Sequence, residues 1–197
     1  MRLFVFSVVL ILMFIPARAD SPLTSTDFYK AYEASPQVTA ALQSKGVLTK
    51  DIMKFLNSKK NSIALKMAVI NAVGWSFDGH NNYTLYKNYL GSKMGTGELK
   101  AANLLCLAYL KALDNYFDCN EALKIADEAL SLNPNSYTFN IIHGLIKAQV
   151  LFDSSWCDLW KSTDAVRKNE NLKKDMNDEA IRIIFEYMDL YQSECDN

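Results

Sequence analysis

Histidine, the side chain best suited to acid–base chemistry at neutral pH, is rare in this sequence. The chain has two histidines in 197 residues, His80 in a polar turn and His143 in a helical segment. Neither belongs to a His-Glu-x-x-His motif, so we expect no metal site and no cofactor. No Gly-x-Ser-x-Gly elbow presents a serine nucleophile, and we expect no catalysis. A small hydrolase that uses one of these histidines is the third interpretation, behind the two binding functions given below.

The cysteines give one specific structural prediction. Cys106, Cys119, Cys157 and Cys195 allow three pairings. Cys157 begins one predicted helix, and Cys195 follows the end of a later one. These two ends lie side by side if the helices pack antiparallel, so we predict a Cys157–Cys195 disulfide. For Cys106 and Cys119, a mutual bond and two buried, unpaired thiols are both open.

The start of the chain is typical of a secretory signal peptide. Basic Met1-Arg2 precedes an apolar run from Leu3 to Pro16, and Ala17-Arg18-Ala19 is a small-x-small cleavage site. The apolar run is about 14 residues long, which is too short for a membrane-spanning helix of ~20 residues. We predict cleavage after Ala19 and a soluble mature chain, residues 20–197, that is secreted or periplasmic and has no transmembrane segment.

Composition and charge restrict the kind of partner. Half of the residues are hydrophobic and 12% are aromatic, which is typical of a folded globular chain. The formal net charge is −1. A chain with such mixed charges lacks the clustered Lys and Arg that nucleic-acid binding requires. We interpret its one basic cluster, Lys59 and Lys60 with Lys54 and Lys66 nearby, as a solvated helix face.

The hydrophobic pattern predicts an all-α protein with about nine to ten helices and no β-sheet. Its seven glycines and four prolines are few, which favours helices. We expect one all-helical domain, with short helices in 20–90, a loop at 91–97 and longer paired helices in 97–197. The predicted helices are 25–34, 36–46, one that begins at Thr49, 63–75, 83–90, 97–113, 120–132, 136–152, 154–167 and 177–191. The helix at 63–75 is apolar on nearly all faces and should be central.

Small residues recur where three consecutive helices of the second half would touch. The small residues are Ala108, Ala122, Ala129 and Gly144. Leu104 and Leu107 precede Ala108 as large residues, and Pro134 stops the second of these helices. Over about residues 104–150 the chain resembles the tetratricopeptide repeat family, in which each repeat is a pair of antiparallel helices. The resemblance implies a right-handed, superhelix-like stack of such pairs. The sequence departs from the family pattern in a longer turn at 114–118 and in Ala126, where the family prefers a bulky aromatic residue.

The same resemblance implies a function in binding. Arrays of this family hold peptides or proteins on a surface formed by the first helix of each pair. We therefore expect a protein- or peptide-binding module. The expected partner-binding residues are Asn103, Lys111, Asn140, His143 and Lys147. The alternative is a secreted helical inhibitor that neutralises another secreted protein.

Overall fold

The computed structural model describes residues 20–94 and 99–195, and over these ranges the protein is helical with no β-strand. The prediction of an all-α protein is confirmed. The described residues form nine α-helices between two 3₁₀ helices, Phe28–Tyr32 and Asp189–Cys195. The α-helices are α1 (Pro36–Gln43), α2 (Lys50–Asn57), α3 (Ile63–Val73), α4 (Asn82–Met94), α5 (Ala101–Asp114), α6 (Asn120–Leu132), α7 (Tyr137–Leu151), α8 (Trp156–Arg167) and α9 (Asp178–Met188). The predicted signal peptide, residues 1–19, lies outside the described residues.

Several helices begin at polar residues that cap their first turn. The hydroxyl of Thr49 accepts the backbone N–H of Ile52 at the start of α2, and Ser62 accepts that of Leu65 at the start of α3. Such bonds satisfy donors that have no partner within the helix. The helix predicted to end at Leu90 continues to the end of α4, so part of the expected 91–97 loop is helical.

The central position of α3 is as predicted. It packs against the first 3₁₀ helix, α1, α5 and α7, and most of its side chains are buried. The interpretation of the basic cluster as a solvated face is wrong for Lys66, which lies on α3 and is only 3% exposed. Other helices cover α3 on several sides, so a polar residue on it is buried with its apolar neighbours.

Helices α5 to α8 pack in chain order, α5 on α6, α6 on α7 and α7 on α8. The small residues predicted at these contacts are all buried, with exposures of 0% for Ala108, 1% for Ala122 and 0% for Ala129. At Gly144 a Cβ atom would lie 2.9 Å from the backbone oxygen of Ser162 on α8. Small side chains therefore set how closely these helices approach.

The 3₁₀ helix Asp189–Cys195 is bonded to α8. The Cys157–Cys195 disulfide is confirmed, with the two Cα atoms 4.7 Å apart. The last predicted helix ends at Met188 rather than at Tyr191, and the 3₁₀ segment that follows packs along α8. The guanidinium of Arg167 supports this contact through an ion pair of 2.8 Å with Asp189.

Candidate functional site

Two loops meet where α3 and α5 end. Residues 74–81 link α3 to α4, and residues 115–119 link α5 to α6. The first loop turns at Gly79, which has a φ of +77°. A Cβ atom on Gly79 would lie 2.8 Å from the backbone oxygen of Asp114. The turn therefore needs glycine both for its backbone conformation and for its approach to the end of α5.

Asp114 joins the first loop to α5. Its backbone oxygen accepts the N–H of His80 at 3.2 Å, and its carboxylate Oδ2 accepts the N–H of Tyr83 at 2.7 Å. Burial raises the pKa of Asp114, and the backbone N–H groups of Tyr83 and Asn82 oppose that shift. Among the described residues, the buried Oδ1 atom has no hydrogen-bond partner. Asp114 thus fixes the loop at an electrostatic cost, because a buried charge is incompletely paired.

The joined loops present four aromatic side chains, Trp75, Phe77, Tyr116 and Phe117, which we call the aromatic patch. The rings of Phe77 and Phe117 meet edge to face with centroids 5.7 Å apart, and Tyr116 stacks on Phe117 at 4.3 Å. Trp75 contacts Tyr116 from the other side at 5.2 Å. Phe77 is 73% exposed and Phe117 is 68% exposed. Trp75 and Tyr116 thus support the rings of Phe77 and Phe117, which are exposed to water.

Three of the five predicted partner-binding residues line one groove. Asn140, His143 and Lys147 lie on α7 and face a groove of about 520 Å³ whose other walls are on α6 and α8. Aliphatic side chains, including Leu130 and Val166, form part of the lining. The groove offers both apolar contacts and charged groups to an extended chain.

The other two predicted residues lie elsewhere. Asn103 is 5% exposed, and its Nδ2 donates to Asn57 Oδ1 at 3.2 Å. Lys111 lies in the last turn of α5, where its ammonium is 4.7 Å from the centre of the Tyr83 ring. The expected surface is therefore divided among three places.

His143 forms the contact that a hydrolase would need from its base. Its Nε2 lies 2.7 Å from Asp127 Oδ1. The hydroxyl of the nearby Ser162, however, donates to the backbone oxygens of Gly144 and Leu159. Hydrogen bonding to a base is what activates a serine nucleophile, and this groove provides none for Ser162 in the described structure.

The remaining thiols are buried and unpaired, which settles the alternatives left open for Cys106 and Cys119. Burial raises the pKa of each thiol to about 12, so neither forms a thiolate at neutral pH. Within residues 20–94 and 99–195, no group of three or more His, Cys, Asp or Glu residues could hold a metal ion. None of the described helices is long and apolar enough to span a bilayer.

Comparisons with protein-family models, curated proteins and solved structures found no match for this chain. Fold and site together define a class: an all-α protein whose consecutive helices pack side by side, with an exposed aromatic patch at one place and an amphipathic groove at another.

Sequence reasoning missed the aromatic patch. Its signal is present, because Trp75 ends one predicted helix with Phe77 just beyond it, and Tyr116-Phe117 follows another. Large aromatic residues in short polar loops have few places to be buried. The contact between the two loops was not foreseeable, since it depends on Gly79 and Asp114 meeting across the fold.

Proposed function

We propose that the protein is a non-catalytic binding protein that docks on a partner protein through the aromatic patch. The observation that carries the proposal is the exposure of two adjoining rings, 73% for Phe77 and 68% for Phe117. Apolar surface left in water costs about 25 cal/mol per Å² relative to burial. A partner that covers the rings recovers this free energy, and aromatic anchors supply much of the binding energy at protein interfaces.

Charge around the patch favours a protein partner over a membrane. Asp78 directly follows Phe77, Asp118 directly follows Phe117, and both carboxylates are exposed. Anionic bilayers attract Lys and Arg and repel carboxylates. The complementary surface is an apolar pocket that receives both rings and carries Lys or Arg at its edge.

The proposal retains the tetratricopeptide-like, right-handed superhelical stack over about residues 104–150. The chain-order packing of α5 to α8, with buried small residues at the contacts, supports it. We also retain export from the cytoplasm, which the Cys157–Cys195 disulfide supports because disulfides persist in oxidising compartments. The groove residues Asn140, His143 and Lys147 stay a predicted second contact for a peptide.

Site-specific crosslinking in the cells that produce the protein tests the proposal. A photoreactive phenylalanine analogue replaces Phe117 in the full chain, and a matched chain carries it at Leu132, which is 58% exposed. Leu132 lies at the opposite end of α6 from the patch, ~18 Å along the helix. We expect a discrete crosslinked protein from position 117 only. Equal crosslinking of the same proteins from both positions would contradict a specific site.

Once mass spectrometry identifies the crosslinked partner, a second experiment measures its affinity for variants of the aromatic patch and of the groove. The double substitution Phe77→Ser/Phe117→Ser should weaken its binding about a hundredfold, since each anchor is worth ~1–2 kcal/mol or more. Lys147→Ala/Lys161→Ala removes two exposed charges from the groove, where a separate peptide is predicted to bind, and should leave the affinity for the patch-bound partner within a few-fold. The reverse result would move the binding site to the groove and refute the role of the patch.

A further inference from the structure

A second groove, far from the aromatic patch along α5, collects positive charge from four different elements. Lys59 comes from the loop before α3, Lys66 from α3, Lys93 from α4, and Lys100 from the residue before α5. The groove has a volume of about 410 Å³, which lies in the range of small-ligand sites. No acidic side chain is among its described lining residues.

Lys66 is the most unusual of these lysines. It is 97% buried, yet its ammonium has no ion pair or hydrogen bond with any other residue in the described parts of the chain. Burial lowers the pKa of Lys66. Its Nζ atom is not one of the buried polar atoms that lack a partner, so the side-chain stem is buried and the ammonium reaches the groove. Because Lys66 also lines the groove, its missing partner is best supplied by a ligand there.

The other groups at the groove are also arranged for an anion. The neighbouring Lys59 ammonium lowers the pKa of Lys100, because the two like charges repel each other. Ala102 in the first turn of α5 lines the same groove, and the residue before this helix provides no side-chain cap. The free N–H groups and the dipole of a helix start favour negative charge.

Neutral donors complete the groove. Asn57 and Asn61 lie on its walls beside the lysines. The Nδ2 of Asn61 donates to the backbone oxygen of Phe55, and Asn57 uses its Oδ1 to accept from Asn103. These bonds hold the asparagines in place and leave the Nδ2 hydrogens of Asn57 for a ligand oxygen.

We propose that this groove binds a small oxyanion with two negative charges, of the phosphomonoester or dicarboxylate class, with Lys66 at its buried end. The ligand is small because the groove has a volume of about 410 Å³. A nucleic-acid backbone requires an extended basic face, and the chain as a whole has a formal charge of −1. The proposal is independent of the partner-binding function assigned to the aromatic patch.

Calorimetric titration of the full mature chain at low ionic strength and pH 7 tests the site. The probes are glycerol 3-phosphate, succinate and, at matched ionic strength, sodium chloride. We expect saturable binding of the phosphomonoester, the dicarboxylate or both, and none of chloride. Binding of only one dianion assigns the class. Failure of both dianions to saturate, or an equal effect of chloride, would overturn the proposal.

Substitutions distinguish a specific site from non-specific attraction of anions to lysines. Lys66→Met should weaken dianion binding about ten- to hundredfold, as expected for one charged hydrogen bond. The exposed Lys60, on the same loop as Lys59 but not in the groove, is the matched control, and Lys60→Met should bind as the wild type does.

Lys66→Met should weaken binding but increase the stability of the ligand-free protein. Without ligand, Lys66→Met should melt at a higher temperature than the wild type, because an unpaired charge on a largely buried side chain becomes an apolar group. If Lys66→Met fails to fold, the exposed pair Lys59→Gln/Lys100→Gln decides the matter with at least a tenfold expected loss. Unchanged affinity in that pair would refute the assignment.

Discussion

Gly144 is where the packing of α7 on α8 is most sensitive to one added atom. A Cβ at this position would lie 2.9 Å from the backbone oxygen of Ser162 and 3.3 Å from the Cγ2 of Thr163. Ordinary contacts between such atoms are about 3.5 Å or more. The oxygen belongs to the backbone of α8, so it cannot turn away as a side chain would. Gly144→Ala should therefore push the two helices apart.

The expected loss of stability is the difference between two terms. Overpacking of this kind costs about 1–3 kcal/mol. Replacing a helical glycine by alanine contributes ~1 kcal/mol in the other direction, because alanine loses less backbone freedom. We expect a net decrease of about 1 kcal/mol in the free energy of unfolding, or ~2–4 °C in Tm for a chain of this size.

Gly91→Ala is the matched control, since Gly91 is also helical but a Cβ there would meet no atom within 4 Å. It should gain up to ~1 kcal/mol from helix propensity alone. Urea unfolding followed by circular dichroism measures both variants, and their free energies should differ by ~2 kcal/mol. If Gly144→Ala were as stabilising as Gly91→Ala, α7 and α8 could not meet at this residue, and the role of small residues in the stack would be refuted.

Three further predictions concern other joints of the fold. Asp175 accepts the backbone N–H and hydroxyl of Thr138 at 2.8 Å each, which caps α7 from a distant loop, and Asp175→Ala should lower the free energy of unfolding by about 2 kcal/mol in urea titrations. Reduction of the Cys157–Cys195 bond should cost ~4 kcal/mol by the chain-entropy account of a closed loop, with an unchanged urea midpoint as the contrary result. Because burial raises the pKa of Asp114, the unfolded state releases this proton more readily, and stability from this group should rise as pH falls from 7 through its folded pKa. Asp114→Asn should remove that gain in unfolding free energies measured between pH 7 and pH 4, and an identical pH slope in both proteins would contradict the assignment.

Much of the fold could be predicted because its signals are local. The hydroxyl caps at Thr49 and Ser62 and the proline that begins α1 fix helix starts within a few residues of where they lie. The disulfide could be predicted because helix ends are local features too. The 3₁₀ tail could not, since the change of helix type after Met188 depends on how that segment packs against α8.

In the candidate sites, too, local features could be predicted and features that depend on tertiary packing could not. Asn140, His143 and Lys147 are spaced by three and four residues, which places them on one side of any helix, and they share a groove. The burial of Asn103 was not predictable, because Asn57 covers it from a helix far earlier in the chain. Lys66 shows the same limit: its sequence neighbours reveal a helix, and only the surrounding helices decide that it is buried.

Helix α5 connects the two proposed sites and explains why they differ in sign. The basic groove lies at its amino end, where the helix dipole favours an anion. Asp114 is the last residue of α5. The helix dipole disfavours a carboxylate at this end, and burial of the carboxylate disfavours its charged form further. Neither Lys66 nor Asp114 is explained by the stability of the helix on which it lies. Lys66, on α3, faces the proposed ligand groove near the amino end of α5, and Asp114, the last residue of α5, holds the aromatic loops together.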